Sequence, residues 1–592
     1  MRLRLSGLAR GRAGNLDTRG KYGGCNVICK GAKFLFLISL AFACAPGAPA
    51  CAATHRPVRA AHGMVASASP LASQAGMEML KSGANAVDAA AVVAMALAVT
   101  HPEAGNLGGG GFMLIRTADG RSSFLDFRER APKKAGRDMY LDDKGNVIAG
   151  SSTAGAKAVG VPGTVAGISL ALQRFGTISF ADACRPAERL AREGFVLSKY
   201  EADFLRQHVA KLEPFPESRR IFLRDGNLYR EGEIFRQPDL AATFGRLIQY
   251  GPNEFYQGET ARLLVKAMGD KGLITLEDLK QYRPAERAPL KGSYRGFSIL
   301  TAPPPSSGGV ALLEMLNMLE GDKLREMGHN SARYLHLMAE VMRRAFADRA
   351  AYLGDPDFVP VPTAELTAKQ YAARLRKGIN PKKASASGRI HPGLGSKGEP
   401  QSTTHFSVVD AAGNMVSCTY TLNDNYGSGV TVAGAGFLLN NEMDDFTSKP
   451  GVPNLFGLIQ GKANAIAPGK RPLSSMTPTI VLRDDKPWFA IGGPGGPRII
   501  NAVLQVLVNI VDFDMNLQQA IDMPRVHHQW YPDVLYLESY GVSEDTRQAL
   551  AARGHRLGVK TISNIQGVLV EPLSGMRLGG SDPRGDGRAV GY

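Results

Sequence analysis

The sequence predicts a mixed α/β fold, α+β in how its strands and helices are segregated. Three observations carry the prediction. Apolar residues recur at helical spacing from Leu71 to Leu80 and again through the Ala-rich run Ala86–Val99, which is apolar nearly all round and suits burial between layers. Two stretches, Asn106–Pro132 and Thr403–Asn423, read as strands paired through short turns. The balance of 44% hydrophobic and 21% charged residues over 592 is that of a globular protein, with no internal repeat.

The first fifty-three residues stand outside that fold. They hold eight basic residues against one acid, Asp17, so seven of the sixteen net positive charges lie there. The apolar run Phe34–Ala45 follows, then small residues. A positive stretch, a short apolar core and an Ala-rich end make an export leader over 1–53, and the run is short for a membrane span. An uncleaved anchor is the other reading of the pattern. Export predicts a periplasmic or secreted protein. The remaining charge is spread thinly, so no nucleic-acid partner is expected. Beyond the leader only Cys184 and Cys418 remain, which is no disulfide framework and no zinc pair.

After the leader, Leu71–Leu80 and Ala86–Val99 are helices parted by Ser82-Gly83, and Asp88 argues against a membrane span. Asn106–Pro132 gives two strands around the turn Ala118-Asp119-Gly120. Residues from Gly163 to Arg376 alternate amphipathic helices with short loops. Asn380–Ser402 is Pro, Gly, Ser and Lys with little that is apolar, and predicts an exposed, mobile segment. A Gly-rich loop follows the strand near Phe489, and a helix runs from about Ile499 to Phe513. That loop, Gly493–Arg498, fits neither GxxxxGK[ST] nor GxGxxG, so it is not a phosphate cradle. His527-His528 lacks metal-ligand spacing, and Asp444-Asp445 gathers too few oxygens for calcium.

The strand pair at Thr403 is the most informative stretch. Asp410–Asn414 supplies turn formers between Thr403–Val409 and Met415–Asn423. Val416, Cys418, Tyr420 and Leu422 share one face, the core face, with Phe406 and Val408. Thr403, His405 and Ser407 take the polar face with Thr419, Thr421 and Asn423. Pairing Val409 with Met415 sets Thr403 opposite Thr421, so two hydroxyls meet at the strand edge. A cut between Ser402 and Thr403 would give Thr403 an α-amino group of pKa about 7.7–8.0, a base beside its own hydroxyl.

Six stretches, "NLGGGGFMLIR", "LDFRERAP", "TTHFSVVD", "NNEMDDF", "KRPLSSMTPTIV" and "GGPGG", occur in this order. Together they resemble the motif set of the γ-glutamyltransferase (γ-glutamyltranspeptidase) family of N-terminal-nucleophile hydrolases. The resemblance covers about His62 to Tyr592. It implies a four-layer α/β/β/α sandwich. It also implies a precursor that cleaves itself before Thr403 into a large subunit, 54–402, and a small catalytic subunit, 403–592, which stay interleaved as a heterodimer. Length alone would suggest roughly four domains; the resemblance makes this one unit.

The resemblance also assigns roles. Thr403 is the nucleophile in self-cleavage and turnover, and Thr421 hydrogen-bonds its hydroxyl. Gly495 and Gly496 give the oxyanion-hole N–H groups. Arg128, Ser474 and Ser475 take the donor's α-carboxylate. Asp445, Glu442 and Asn423 take its α-ammonium. The segment Lys449–Gly461 corresponds to a lid whose aromatic is often Tyr. Phe456 stands there, and it cannot donate a hydrogen bond to Asn423, which implies looser closure. Gly108–Gly111 is read as a close backbone crossing.

The implied activity is transfer of a γ-glutamyl group from glutathione or a similar compound to water, an amino acid or a peptide, with no metal or organic cofactor. A cephalosporin (glutaryl) acylase or a poly-γ-glutamate processing enzyme shares the fold. A secreted glutamate-binding protein without turnover is the alternative from another class.

Overall fold

The computed structural model describes residues 55–390 and 403–592. The leader 1–53 and Ser402 lie outside the described residues. Residues from Thr54 to Tyr592 form one compact unit.

Its centre is a pair of seven-stranded sheets. In the first, the order is Val58–Ala60, Arg577–Ser581, Gln566–Val570, Lys486–Gly492, Thr479–Arg483, Phe297–Thr301, Leu290–Tyr294. In the second it is Arg588–Gly591, Met64–Ser67, Thr404–Val409, Met415–Thr421, Gly110–Arg116, Ser122–Phe127, Ala285–Arg287. Neighbouring strands in both run antiparallel. Each sheet draws strands from before and after position 402.

Helices cover the outer faces. Pro70–Lys81, Ala86–Thr100 and Thr164–Phe175 pack on the second sheet, and Gly308–Leu319, Arg498–Val511 and Leu517–Asp522 on the first. The arrangement is a four-layer α/β/β/α sandwich. Every residue of Ala86–Thr100 is buried. Asn85 and Asp88 form its capping box, and Asp88 also accepts the N–H and hydroxyl of Thr177 at 2.7 and 2.6 Å. That explains a buried acid in an apolar helix: it satisfies otherwise orphaned donors at a helix start.

The predicted register is present: Val409 pairs with Met415 and Thr404 with Tyr420. Phe406, Val408, Val416, Cys418, Tyr420 and Leu422 meet the helical layer in one core, and the Tyr420 hydroxyl donates to the Ala94 carbonyl at 2.8 Å. The polar face is no less buried. His405 bonds Thr419 at 2.8 Å and Ser407 at 3.0 Å, and Ser417 accepts the N–H of Thr479 in the facing sheet at 3.1 Å. A one-sided amphipathic pattern therefore marks the difference between a helix-facing layer and a sheet-facing layer, both dry. Polar side chains are tolerated between the sheets because they bond one another.

Asn380–Ile390 departs from the expectation of a mobile segment. Ser387 is fully buried, donates to the Trp530 carbonyl at 2.6 Å and offers its N–H to Asp533 at 2.8 Å. The Trp530 indole N–H donates back to the Ser387 carbonyl at 3.0 Å, and Arg343 reaches the Ser387 hydroxyl. Distant polar groups order a stretch whose own composition cannot. Residues 391–402 lie outside the described residues.

Candidate active site

Thr403 stands one residue before the strand Thr404–Val409 and is 6% exposed. Continuing the ladder from Thr404–Tyr420 sets it opposite Thr421, whose hydroxyl donates to Thr403 Oγ1 at 3.4 Å. Thr421 Oγ1 in turn accepts the N–H of Asn423 at 2.7 Å. Asn423 can offer that N–H because its backbone turns left-handed, φ +77°, at the strand end. Asn tolerates that region better than most residues. Its side-chain Nδ2 donates to the Asn441 carbonyl at 3.0 Å.

A narrow cleft opens from Thr403 and Thr421. Asn423, Glu442, Asp445, Arg128, Ser474, Ser475, Gly496 and Phe456 line it, so the cleft brings together the residues named for the site except Gly495. Arg128 is 1% exposed, with Nη2 2.5 Å from Asp445 Oδ2 and Nη1 against a carboxylate oxygen of Glu442. Its Nε donates to the Pro472 carbonyl at 3.2 Å. Burial works against the Arg128 charge, and Glu442, Asp445 and Glu129 more than offset it. The same burial raises Glu442, against the pull of Arg128, and holds Glu129 up to about 7. Neither carboxylate oxygen of Glu442 makes an aligned hydrogen bond. The cleft thus concentrates one cation and several acceptors in a dry space, where each charge interaction is strong.

The Ser474 hydroxyl accepts the N–H of Met476 at 3.1 Å, which leaves its proton to be donated elsewhere. The Ser475 hydroxyl accepts from Arg349 Nη2 at 3.1 Å. Arg349, on the helix Ala332–Tyr352, escapes a reading of the sequence because it sits in a run with Arg343 and Arg344. The available signal is its spacing, three and four residues after the buried Phe346 and Ala345.

Gly495 and Gly496 follow the strand Lys486–Gly492 and lead into the helix Arg498–Val511. Their φ values, +127° and +55°, lie in the region that favours glycine. Gly495 borders a second, wider groove of about 470 Å³ that also reaches Thr403, with His101, Glu103, Asp203, Asn564 and Arg584 among its walls. Thr403 is therefore the residue common to both spaces. Gly109 shows why the Gly-rich run exists: a Cβ there would lie 2.0 Å from the Thr421 carbonyl.

Phe456 packs into the wall of the cleft. It is 5% exposed, its ring lies against Gly496, and its carbonyl accepts from Gln529 Nε2 at 3.1 Å. Its neighbour Leu455 donates its N–H to Asp444 at 2.8 Å, while Ser152 donates to the other oxygen at 2.7 Å. Apolar packing and backbone bonds close this segment without a side-chain hydroxyl at 456.

His527 and His528 bond Gln529 and Asp533 at 2.8 and 3.3 Å. Among the described residues, His336, Glu340 and His555 bring possible metal-ligand atoms within 4.8 Å of one another. Glu340 is already bonded to Arg344 at 2.7 Å and to the Ser385 hydroxyl at 2.6 Å, so the group acts as a fastening for the segment near 385.

With this geometry in view, comparison with known proteins is direct. A sequence profile described as gamma-glutamyltranspeptidase matches residues 72–592. The chain belongs to the γ-glutamyltranspeptidase family. A glutathione hydrolase proenzyme of Pseudomonas sp. (strain A14) is 49% identical over 91% of this chain and 96% of its own length. A solved cephalosporin acylase from Bacillus halodurans superposes with TM-score 0.80 at 28% identity, over 93% of this chain and 99% of that one. The solved γ-glutamyltranspeptidase of Helicobacter pylori superposes with TM-score 0.55 at 41% identity, over 59% of this chain and 99% of its own. The sandwich is thus that of the N-terminal-nucleophile hydrolases, and the chain is an enzyme of the transferase and hydrolase type that the family defines. The acylase shares the architecture, while sequence likeness runs toward the glutathione hydrolases.

Proposed function

We propose that this protein is an exported glutathione hydrolase and γ-glutamyltransferase that matures by cutting itself between Ser402 and Thr403. The observation that carries the reading is the meeting of Thr403, Thr421 and Gly496 with Arg128, Glu442 and Asp445 around one cleft. A hydroxyl nucleophile stands at its mouth, and groups for a free amino-acid end lie within. A glutaryl chain has no α-ammonium to use the acceptors of Glu442 and Asp445, so a γ-glutamyl donor fits better.

In the mature protein the Thr403 α-amino group takes the proton of its own hydroxyl as Oγ1 attacks the γ-amide carbonyl. The N–H groups of Gly495 and Gly496 receive the oxyanion, a contribution of about 2.7–4 kcal/mol for each such donor. The C–N bond then breaks, and the α-amino group returns the proton to the leaving amine of cysteinylglycine. Water, or the amine of an amino acid or peptide, attacks the γ-glutamyl ester and frees Thr403. In self-cleavage the same hydroxyl attacks the Ser402 carbonyl, the Ser402–Thr403 C–N bond breaks as the hydroxyl proton passes to the Thr403 nitrogen, and water hydrolyses the ester on Oγ1 to free the Ser402 carboxylate. The large and small subunits remain a heterodimer. The leader directs the precursor to the periplasm or beyond.

The test is the denatured intact mass of wild type beside Thr403→Ala. Two fragments in wild type, one starting at Thr403, are expected, with a single chain in the variant. The mature protein should release the amine from a γ-glutamyl anilide. An uncut wild type with no release of amine would overturn the reading in favour of a binding protein.

A further inference from the structure

Arg349 is 2% exposed, and its hydrogen-bond partners are hydroxyls. Nε donates to Ser307 Oγ at 2.9 Å and Nη2 to Ser475 Oγ at 3.1 Å, while the buried Nη1 has no hydrogen-bond partner among the described residues. Ser307 in turn grips the Ser474 carbonyl with its N–H at 2.8 Å and its hydroxyl at 2.6 Å. One guanidinium thus stands behind the whole Ser474-Ser475 turn. The nearby carboxylates of Glu442 and Asp445 are turned to Arg128 instead.

A buried guanidinium with neutral acceptors alone is costly, and proteins rarely keep one unpaired. Burial, offset by Asp445 and reinforced by Arg128, leaves Arg349 lowered to about 10. It remains charged at neutral pH. The side of the cleft at Ser475 therefore carries a positive charge that, among the described residues, no carboxylate contacts. Arginine only donates. Its bond to Ser475 Oγ occupies an acceptor site of that hydroxyl and leaves the serine proton to be given to something else. A cationic donor behind a hydroxyl also makes that hydroxyl a stronger donor.

We propose that Arg349 is a positioning residue for the donor's α-carboxylate, acting through Ser475 and through its own uncompensated charge. The inference rests on the γ-glutamyl reading of the cleft. Arg128 anchors the carboxylate side while neutralised by acids. Arg349 supplies the charge that the substrate carboxylate completes.

The test uses two chromogenic donors, γ-glutamyl-p-nitroanilide and 4-aminobutyryl-p-nitroanilide, which differ in the α-carboxylate alone. The ratio of their kcat/KM values is read within one preparation, so it does not depend on how much protein has matured. Wild type favours the γ-glutamyl donor. Arg349→Gln, which can hydrogen-bond but carries no charge, is expected to cut that preference by about 10- to 100-fold, through KM for the γ-glutamyl donor. Arg349→Lys keeps the charge and should lose less than about tenfold. A purely structural role would lower both donors together and leave the ratio intact. An unchanged ratio in Arg349→Gln overturns the proposal. If that variant does not fold, Arg349→Lys decides: a KM rise confined to the γ-glutamyl donor supports the proposal, and equal losses on both donors overturn it. A wild type without preference between the donors would instead remove the γ-glutamyl reading itself.

Discussion

Thr421 accepts the N–H of Asn423 at 2.7 Å and donates toward Thr403 at 3.4 Å. The second distance is long for two hydroxyls, and catalytic hydrogen bonds commonly shorten once substrate is seated. With Thr403 as the proposed nucleophile, a hydrogen bond in this direction gives Thr421 the role of steering its lone pairs. Thr421→Val is expected to lower kcat by about 100-fold with little change in KM, and Thr421→Ser to recover most of it. Steady-state kinetics on the mature protein check this, and a valine variant with unaltered kcat would remove the role. This pair was legible beforehand because strand period and turn chemistry set the register without any tertiary information. Arg349 was not, because nothing in its own neighbourhood separates it from Arg343 and Arg344. Only the helix packing decides which of the three meets Ser475.

At the scale of elements, the stretch Asn380–Ile390 shows what local composition misses. Its fixings include Glu340, Arg343, Trp530 and Asp533, remote in sequence, so no short window along the chain contains them. Losing a hydrogen bond to a charged group typically costs about 1.5–3 kcal/mol, and less where the group is partly exposed, as Asp533 is. Asp533→Ala should therefore loosen 380–390 and speed its cleavage in limited proteolysis, with the Arg498–Val511 helix still protected. Equal rates in wild type and variant would show that the segment is held by other contacts. The hairpin is the opposite case. Its alternation and turn named the strands, but the pattern could not tell a solvent-facing side from one facing a second sheet. Ser407, Ser417 and Thr419 look the same in either setting until the partner sheet is present.

For the whole molecule, buried histidines set an acid limit. Burial holds His405 down to about 3, His528 to about 4 and His555 to about 3. In the unfolded chain each titrates near 6.5. Between those values the unfolded state binds more protons, so this stability is full above about pH 6.5 and is lost as pH falls toward 3. Glu129 and Asp444, raised by burial to about 7, have the opposite slope over about pH 4 to 7. A comparison that changes one histidine cancels them. His405→Gln should have a lower Tm than wild type at pH 7 and a shallower fall between pH 6.5 and 4. Parallel Tm curves would show that His405 is not neutral in the native state. The four layers themselves could be read only through the motif set. Which strands from the two ends of the chain lie side by side is a long-range matter that periodicity does not encode.

Strand Met64–Ser67 lies between Arg588–Gly591 and Thr404–Val409, and Gly110–Arg116 lies beside Met415–Thr421. The two halves of the chain are woven into the same cloth. The proposed cut before Thr403 would break no strand pairing of either sheet but would remove the tether that brought the strands together. A continuous chain meets its partner strands at the high local concentration its own length sets, whereas two loose fragments must find each other by diffusion. Maturation is then a one-time assembly. On the proposed cut before Thr403, the instruction for building the enzyme would reside partly in the peptide bond destroyed on activation, so each molecule would be switched on once and, after unfolding, would have no equivalent route home.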